Sequence, residues 1–384
     1  MGPPVDSVPS SEKWPSHADV VIIGGGIAGV CTALFLARRG IRVALCEKGH
    51  IAGEQSSRNW GWCRTMGRDE REIPLSIESL RRWREMNSLV EDETGFRETG
   101  IVYLSESDKE HADNAAWLER ARPYGIDTRL LNATETAALL PGAASAFKGA
   151  LYTASDGRAE PQKAAPAIAR AVQRLGGAVL TGCAVRGIEQ SAGRVSAVVT
   201  ERGRIDCQAV VLAGGAWSRL FCGNLGIHLP QLTVRSSALR TAPLAGAPVS
   251  AAAAGDYAFR QRLDGGYTIA SGFETIADIT PDTFRLFFDF LPALRHEWSS
   301  LKLRFGQRFF DELRRPRRWT LDAVTPFEQV RVLDPEPSTK INARALAALA
   351  QAFPAFAQAR IEQQWAGIID VTPDAVPVLS LIHI

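Results

Sequence analysis

The sequence predicts a mixed fold, in which a parallel α/β domain is interleaved with a mostly antiparallel α+β domain. Three observations support this. The 384 residues exceed the roughly 250–300 residues over which one core keeps growing, so two domains are favoured. A strand–glycine turn–helix–strand unit opens the chain, and a second glycine turn follows a later strand. Strand-like pieces typical of antiparallel hairpins fill the intervening stretches.

The composition is that of an ordinary globular protein, with 46% hydrophobic and 22% charged residues. The 44 basic and 42 acidic groups nearly balance, which predicts no nucleic-acid or membrane-surface partner. The six cysteines contain no CxxC pair and the six histidines form no motif. We therefore expect reduced thiols, no metal site and a cytoplasmic location.

The uncharged stretch 20–37 is long enough to raise the question of a membrane span. Four glycines interrupt it and no basic region precedes it, so we expect neither an integral membrane segment nor a signal peptide. Residues 1–17 are rich in proline and serine and are expected to form a disordered tail.

The stretch ADVVIIGGGIAGVCTALFLARRGIRVALCEKG predicts a strand, a tight turn, a helix and a second strand. Residues 20–23 are a β-branched apolar run, typical of a strand buried on both faces. Gly24, Gly26 and Gly29 form a GxGxxG motif, which permits the turn, close approach to a pyrophosphate and tight helix–strand packing. Glu47 follows at the distance where an acidic side chain binds ribose hydroxyls. This context predicts a dinucleotide site and leaves FAD and NAD open.

A second glycine turn, Ala213-Gly214-Gly215-Ala216-Trp217-Ser218, follows the predicted strand 209–212. Ligands of open α/β sheets bind outside the carboxyl ends of strands, and this turn has that position. Residues 176–205 before it alternate like a short antiparallel meander.

The GxGxxG motif with Glu47-Lys48, the strand through Val185 and the AGGAWS turn together resemble the D-amino-acid-oxidase-like flavoproteins, which include glycine oxidase, sarcosine oxidase and D-amino-acid dehydrogenases. The resemblance extends from about residue 19 to the end of the chain. It implies non-covalent FAD in a Rossmann-like domain, interleaved with a mostly antiparallel substrate domain. The cofactor-binding residues that it implies are Gly24, Gly26, Ile27, Ala28, Gly29, Glu47, Lys48, Ser56, Ser57, Arg58, Asn59, Trp60, Val185, Ala213, Gly214 and Trp217.

The stretch SSRNWGWCR combines bulky aromatic and guanidinium groups without an amphipathic period. The resemblance implies that residues 56–60 pass along the pyrophosphate and flavin ring, and that Trp62 and Arg64 reach the substrate side. Aromatic faces and arginines suit such a pocket. The alternative is that the tryptophans brace a domain interface while Arg64 and Arg68 pair with Asp69, Glu70 and Glu72.

The stretch FRQRLDGGYTIASG predicts a β-hairpin with its turn at residues 264–266. Arg260 and Arg262 then share one face, and Tyr267 begins the returning strand. A planar guanidinium donates hydrogen bonds to both oxygens of a carboxylate, so Arg260 is the predicted substrate clamp. The alternative is a salt bridge on an exposed sheet face. Arg64, Arg260, Trp62 and Tyr267 are the predicted catalytic residues.

The expected domain boundaries follow from these segments. The FAD-binding domain comprises residues 18–90, 151–228 and 360–378, and the substrate domain comprises 91–150 and 229–359. Relatives continue for several tens of residues beyond this end, and LSLIHI matches the translation of a transposase sequencing adapter. We therefore expect residues 379–384 to be non-native and the protein to be truncated.

The resemblance implies oxidation of a primary or secondary amine of an amino-acid-like substrate to an imine, which water hydrolyses to a carbonyl product. Oxygen or another electron acceptor reoxidises the flavin. A D-amino acid, an N-alkyl amino acid or an opine remains open as substrate. Alternatives are a flavin-bearing subunit of a larger opine or amine dehydrogenase with partner subunits, and an inactive truncated fragment. An NAD-dependent dehydrogenase is disfavoured, because it has no use for the AGGAWS turn.

Overall fold

The computed structural model describes residues 2–272, 274–297 and 301–380. Of the suspected non-native end, residues 381–384 lie outside the described residues. The strands are β1 (Val20–Ile23), β2 (Val43–Cys46), β3 (Trp62–Cys63), β4 (Arg97–Glu98), β5 (Ile101–Ser105), β6 (Thr128–Asn132), β7 (Gly149–Thr153), β8 (Gly157–Arg158), β9 (Ala178–Leu180), β10 (Val185–Ser191), β11 (Arg194–Thr200), β12 (Gly203–Asp206), β13 (Ala209–Leu212), β14 (Leu232–Thr241), β15 (Ala251–Ala253), β16 (Ala258–Gln261), β17 (Tyr267–Ala270), β18 (Thr275–Asp278), β19 (Leu301–Arg304) and β20 (Ile361–Val371).

The helices are α1 (Ile27–Ala37), α2 (Gln55–Arg58), α3 (Ile73–Val90), α4 (Asp108–Ala121), α5 (Ala133–Leu139), α6 (Pro161–Arg174), α7 (Ser218–Asn224), α8 (Pro281–Arg285), α9 (Phe287–Glu297), α10 (Gln307–Arg314), α11 (Pro326–Gln329) and α12 (Thr339–Ala352). Short 3₁₀ turns occur at Arg122–Tyr124, Gly215–Trp217 and Pro354–Gln358. The uncharged stretch 20–37 therefore forms β1, a glycine turn and α1. No helix in the described ranges has both the length and the apolar character that crossing a bilayer requires.

The predicted α/β domain is a four-stranded sheet with the order β13-β1-β2-β9. All three strand pairs are parallel. α1 and α6 pack against the sheet through a cluster of buried aliphatic residues. Because β1 and β13 are adjacent and parallel, their two glycine turns emerge side by side at the carboxyl edge of the sheet. The predicted meander is also present, with the order β10-β11-β12.

The second sheet has ten strands and is mostly antiparallel, as predicted. α12 and the 3₁₀ turn after it cover one face through the core around Leu239, Phe259 and Phe356. The predicted hairpin is β16–β17, closed by a hydrogen bond from the Arg262 amide to the Gly266 carbonyl. β20 pairs with β14 along almost its whole length. Residues 361–371 therefore belong to the antiparallel sheet, although the predicted boundaries place them in the FAD-binding domain.

The N-terminal segment differs from the predicted disordered tail. The Asp6 amide donates to the Gln162 carbonyl at 3.1 Å, and the Ser11 amide donates to the Val179 carbonyl at 2.8 Å. Val5 and Val8 pack against the core beside α1 and α6. The spaced valines give this proline-rich segment an apolar side, and that side covers α6.

Candidate functional site

The first glycine turn leaves no room for side chains. A Cβ atom on Gly24, whose φ is +111°, would lie 2.3 Å from the Ala213 carbonyl oxygen. A Cβ on Gly29 would lie 2.0 Å from the Gly24 carbonyl oxygen. Gly26 is the N-cap of α1 and makes no side-chain capping bond. α1 therefore begins at this turn, and the helix dipole favours an anion at its N-terminus, near the backbone N–H groups of Ile27 and its neighbours.

Ser56 lies directly at this helix N-terminus. Its hydroxyl oxygen accepts a hydrogen bond from the Ile27 amide at 2.8 Å, and a Cβ on Gly26 would lie 3.0 Å from the same oxygen. The structure thus brings the GxGxxG turn and the predicted Ser-Ser pair together. Ser57 is buried and its hydroxyl donates to the Glu54 carbonyl at 3.1 Å, so it fixes α2.

Glu47 follows β2 at the same edge of the sheet. Its carboxylate accepts hydrogen bonds from the Gly25 and Gly49 amides, both at 2.7 Å. Burial raises the pKa of this carboxyl, and the two amide bonds oppose the rise. The Cys183 amide donates to the Glu47 carbonyl at 2.8 Å, which places the start of β10 at Val185 nearby. Glu47 and Val185 therefore lie where the ribose and adenine contacts are predicted.

Lys48 and Trp217 bind each other and Glu54. The Lys48 ammonium lies 2.7 Å from Glu54 Oε1 and 4.5 Å from the centroid of the Trp217 ring. The Trp217 indole N–H donates to the same carboxylate at 3.0 Å. Lys48 also donates to the carbonyls of Val330 and Arg331. The side chains of Lys48 and Trp217 thus join the turn after Gly214 to the segment after β2, and the Lys48 ammonium is occupied by protein acceptors.

Arg58 and Asn59 are likewise held by protein groups. The buried Arg58 guanidinium donates to Asp334 at 2.6 Å and to the Ala366 carbonyl at 2.9 Å. Asn59 accepts from the Gly61 amide at 2.7 Å and shapes the turn before Trp62. These two predicted cofactor residues thus direct their side chains to the protein, which leaves their backbone for any cofactor contact.

One row of side chains crosses the antiparallel sheet above residues 58–62, on the face opposite α12. We call this row the roof row. Register pairs Gln363 with Arg240, Arg240 with Thr268 and Thr268 with Arg260. In the next row of the same face, Ala238, Ala270 and Trp365 pack against Trp60. Trp365 also donates its indole N–H to the Arg58 carbonyl at 3.0 Å. The sheet and the 58–62 segment therefore face each other directly.

Arg260, the predicted substrate clamp, is committed to an internal ion pair. Its guanidinium is 1% exposed and binds Glu160 with both terminal nitrogens, at 2.9 and 3.0 Å. Its Nε donates to the Trp60 carbonyl. Burial opposes ionisation of Glu160, but the charge and hydrogen bonds of Arg260 lower the carboxyl pKa. The geometry corrects the prediction: a buried guanidinium needs a carboxylate, and Glu160 supplies it from the N-cap of α6.

Tyr267, the other predicted catalytic residue of this hairpin, lies on the opposite face of the sheet. Its hydroxyl donates to the carbonyls of Ala247 and Pro248, at 3.1 and 3.0 Å, and its ring centroid lies 4.9 Å from that of Phe356. Successive side chains of a strand alternate between faces. Thr268 therefore faces the site and Tyr267 fills the core, so a catalytic role for Tyr267 does not fit this geometry.

Trp62 and Arg64, predicted to reach the substrate side, lie beside Tyr103. The Trp62 ring lies 5.3 Å from Trp60 and 6.1 Å from Tyr103. The Arg64 guanidinium lies 5.7 Å from the Tyr103 centroid and donates to the Met66 carbonyl. Within the described residues Arg64 has no ion pair. The alternative prediction holds for Arg68, which lies 3.6 Å from Glu72.

Sequence reasoning missed Asp156, which shapes this segment. Its carboxylate accepts from the Thr65 amide at 2.7 Å, the Thr65 hydroxyl at 3.0 Å and the Met66 amide at 3.2 Å. Burial raises the pKa of Asp156 to about 6. In the sequence it lies within SDGR, which is typical of an exposed turn, so no local signal marks it.

Sequence reasoning also missed Arg240 and Thr268 in the roof row. Among the described atoms, Arg240 Nε and Thr268 Oγ1 are buried without a hydrogen-bond partner. The Glu362 carboxylate lies 4.0 Å from Arg240 Nε, too far for a hydrogen bond. Strand alternation from the core residue Leu239 could have placed Arg240 on the site face. Unpaired buried polar atoms indicate a missing partner, such as a ligand.

The residues of both glycine turns fit FAD. The close glycine contacts form a cradle that a Cβ would fill, the N-terminus of α1 offers N–H groups, and Glu47 lies beside it. Ser56 closes the cradle on the side of the 58–62 segment. A dinucleotide along this edge would point its far end toward the roof row.

Comparisons with known proteins agree with this arrangement. The family model described as "FAD dependent oxidoreductase" (DAO) matches residues 19–383. The L-amino acid deaminase of Proteus myxofaciens, solved in complex with anthranilate, superposes with a TM-score of 0.94 and 33% identity, over 99% of this chain and 86% of that one. The sarcosine oxidase subunit beta of Arthrobacter sp is 24% identical over 94% of this chain and 78% of its own length.

A further relative is much longer than the present chain. The mitochondrial sarcosine dehydrogenase of Mus musculus is 27% identical over 62% of this chain, but the match spans only 27% of that protein. The names of these relatives describe enzymes of sarcosine and of L-amino acids. By the family match, the chain belongs to the DAO family of FAD-dependent oxidoreductases, whose cofactor is FAD.

Proposed function

We propose that the protein oxidises a primary or secondary amine of an amino-acid-like substrate to an imine. The observation that carries the proposal is the pair of unpartnered buried donors, Arg240 Nε and Thr268 Oγ1, in the roof row above the 58–62 segment. Relatives named as sarcosine, glycine and L-amino acid enzymes support the substrate class. FAD, when bound, accepts the electron pair removed from the amine.

The residues of this chain bind and orient the substrate. Arg240 offers a planar fork that fits the two oxygens of a carboxylate, and Thr268 adds a hydroxyl donor beside it. Trp60 and Trp62 supply apolar faces that exclude water next to the reacting carbon. Arg64, without an ion pair among the described residues, is the second guanidinium that can reach substrate. The imine then takes up water and releases a carbonyl product with ammonia or an amine.

Arg260 and Glu160 act as positioning residues in this proposal. Their buried pair holds the Trp60 carbonyl and thereby the height of the 58–62 segment below the sheet. Asp156 does the same for the segment after Trp62. The sequence predicted Arg260 as the carboxylate clamp. In this proposal the clamp is Arg240, the other arginine of the roof row.

The test is anaerobic bleaching of the bound flavin by sarcosine, glycine and D- and L-amino acids. With the substrate that bleaches the parent protein, Arg240→Gln should raise KM about tenfold or more, because a charge-assisted bond to the carboxylate is lost. Arg240→Lys should recover part of that loss. The control is Arg194→Gln, which alters an exposed residue of the β10–β11 hairpin.

A parent protein that retains FAD but is bleached by none of these amines would overturn the proposed reaction. Equal KM values for Arg240→Gln and Arg194→Gln would overturn only the assignment of the clamp. The two failures are therefore distinguishable.

A second candidate function is that of a flavin-bearing subunit in a larger amine dehydrogenase. The match to a protein named as subunit beta of sarcosine oxidase favours it. In that case the flavin should be bleached by substrate but reoxidised slowly by oxygen, and the protein should co-purify with partners from its native source. Rapid reoxidation by oxygen in the isolated chain would argue for an independent oxidase.

A further inference from the structure

A cavity of about 70 Å³ lies beyond Trp217, between the helices after β18 and the start of β14. Five arginines line it, against two carboxylates: Arg219, Arg285, Arg308, Arg315 and Arg317, with Asp282 and Glu312. This excess of positive charge in a partly enclosed space is costly unless an anion shares the space.

Asp282 already forms ion pairs with three of these guanidinium groups. Arg219, Arg317 and Arg285 lie 2.7, 2.7 and 3.0 Å from its oxygens. Burial alone would raise the carboxyl pKa, but the arginines lower it to about 2. This carboxylate is therefore saturated, and it cannot neutralise the remaining arginines.

Arg308 and Arg315 are the arginines left incompletely paired. Arg308 binds Glu312 at 2.8 Å and donates from Nη2 to Thr233 at 2.7 Å. Its Nη1 forms a longer ion pair with Asp278 at 3.6 Å, but is buried without a hydrogen bond. Arg315 forms no ion pair within the described ranges. Its guanidinium lies 5.1 Å from the Trp217 centroid. Burial lowers the Arg315 pKa and Arg308 lowers it further, whereas Glu312 and Asp311 oppose the fall.

From this arrangement we propose that the cavity binds a small, multiply charged oxyanion of the phosphate or sulfate type. The anion would accept hydrogen bonds from Nη1 of Arg308 and from the guanidinium of Arg315. The hydrogen-bonded pairs of Asp282 and Glu312 would stay intact. It would join α8, α10 and residues 315–317 to the Trp217 turn. The site is separate from the roof row, and it does not depend on the proposed reaction.

The test is thermal unfolding of the FAD-saturated protein in low-millimolar phosphate or sulfate, against sodium chloride of equal ionic strength. We expect either oxyanion to raise Tm by about 3–6 °C beyond chloride. Arg315→Gln should abolish that difference. Arg314→Gln, an exposed position on α10 that does not line the cavity, should keep it.

Two results would overturn the proposal. One is an equal Tm in phosphate and in chloride. The other is an undiminished oxyanion effect in Arg315→Gln, which would assign the anion to another site. If Arg315→Gln does not fold, Arg308→Gln, which removes the other proposed anion ligand, gives the same comparison. Broadening of the phosphate ³¹P resonance by the parent protein, lost in the variant, provides an independent reading.

Discussion

The edge of the parallel sheet and the roof row prepare their binding surfaces by opposite means. At the edge, backbone groups and the absence of side chains form the site: a Cβ on Gly24 or Gly29 would collide with a carbonyl oxygen. In the roof row, the site consists of side chains whose roles depend on their partners. Arg240 and Arg260 lie in one row and both flank Thr268, yet within the described residues only Arg260 is paired with a buried carboxylate.

A backbone site is therefore fixed by local sequence, whereas a side-chain site depends on the partner that another segment supplies. Glu160, which forms the ion pair with Arg260, lies 100 residues away in the chain.

The largest effect is expected for Gly24→Ala. The added Cβ would approach the Ala213 oxygen at 2.3 Å in a backbone with φ of +111°, so the two glycine turns must separate. We expect the purified variant to lose its bound FAD, measured as visible flavin absorbance per protein. Gly40→Ala is the matched control, because it also has positive φ, at +76°, but nothing within 4 Å of the added atom. Loss of flavin in both variants would mean that strain alone, and not the close approach, explains the effect.

The second effect concerns the buried pair of the roof row. Glu160→Gln should lower the free energy of unfolding by about 3–5 kcal/mol, because it leaves the buried Arg260 guanidinium uncompensated. Urea unfolding measures the change. Glu362→Gln is the comparison, since its carboxylate lies 4.0 Å from Arg240 and is partly exposed, and should cost about 1 kcal/mol or less. Equal losses would remove the distinction between the two arginines.

The smallest effect is a pH dependence at Asp156. Its folded-state pKa of about 6 exceeds the ordinary value of 3.8, so ionisation opposes folding. The contribution of this group to stability is greatest below pH 4, falls as pH rises towards 6 and is constant above it. Asp156→Asn cannot ionise.

The free energy of unfolding of the parent, relative to that of Asp156→Asn, should therefore fall by up to about 3 kcal/mol between pH 4 and pH 7. Urea titrations at several pH values measure it. A difference that stays constant with pH would show that the three hydrogen bonds to Asp156 hold its pKa near the ordinary value.

Much of the nucleotide side could be predicted from sequence. The strand–turn–helix–strand unit, the second glycine turn, the meander and the β16–β17 hairpin all occur where the pattern placed them. The errors concern partners and faces. Tyr267 was placed on the wrong face of the sheet, because side chains of a strand alternate and it is one residue from Thr268. Residues 361–371 were assigned to the FAD-binding domain, but they pair with the ten-residue strand β14.

The glycine cradle, Glu47 and the aromatic stretch at residues 56–64 can be located from the sequence, because GxGxxG sterics and strand order are local and need no distant partner. Which arginine of the roof row can meet a ligand depends on tertiary contacts. Burial makes a guanidinium depend on the nearest carboxylate, and no sequence pattern indicates that α6 brings Glu160 to Arg260 while Arg240 Nε stays unpaired.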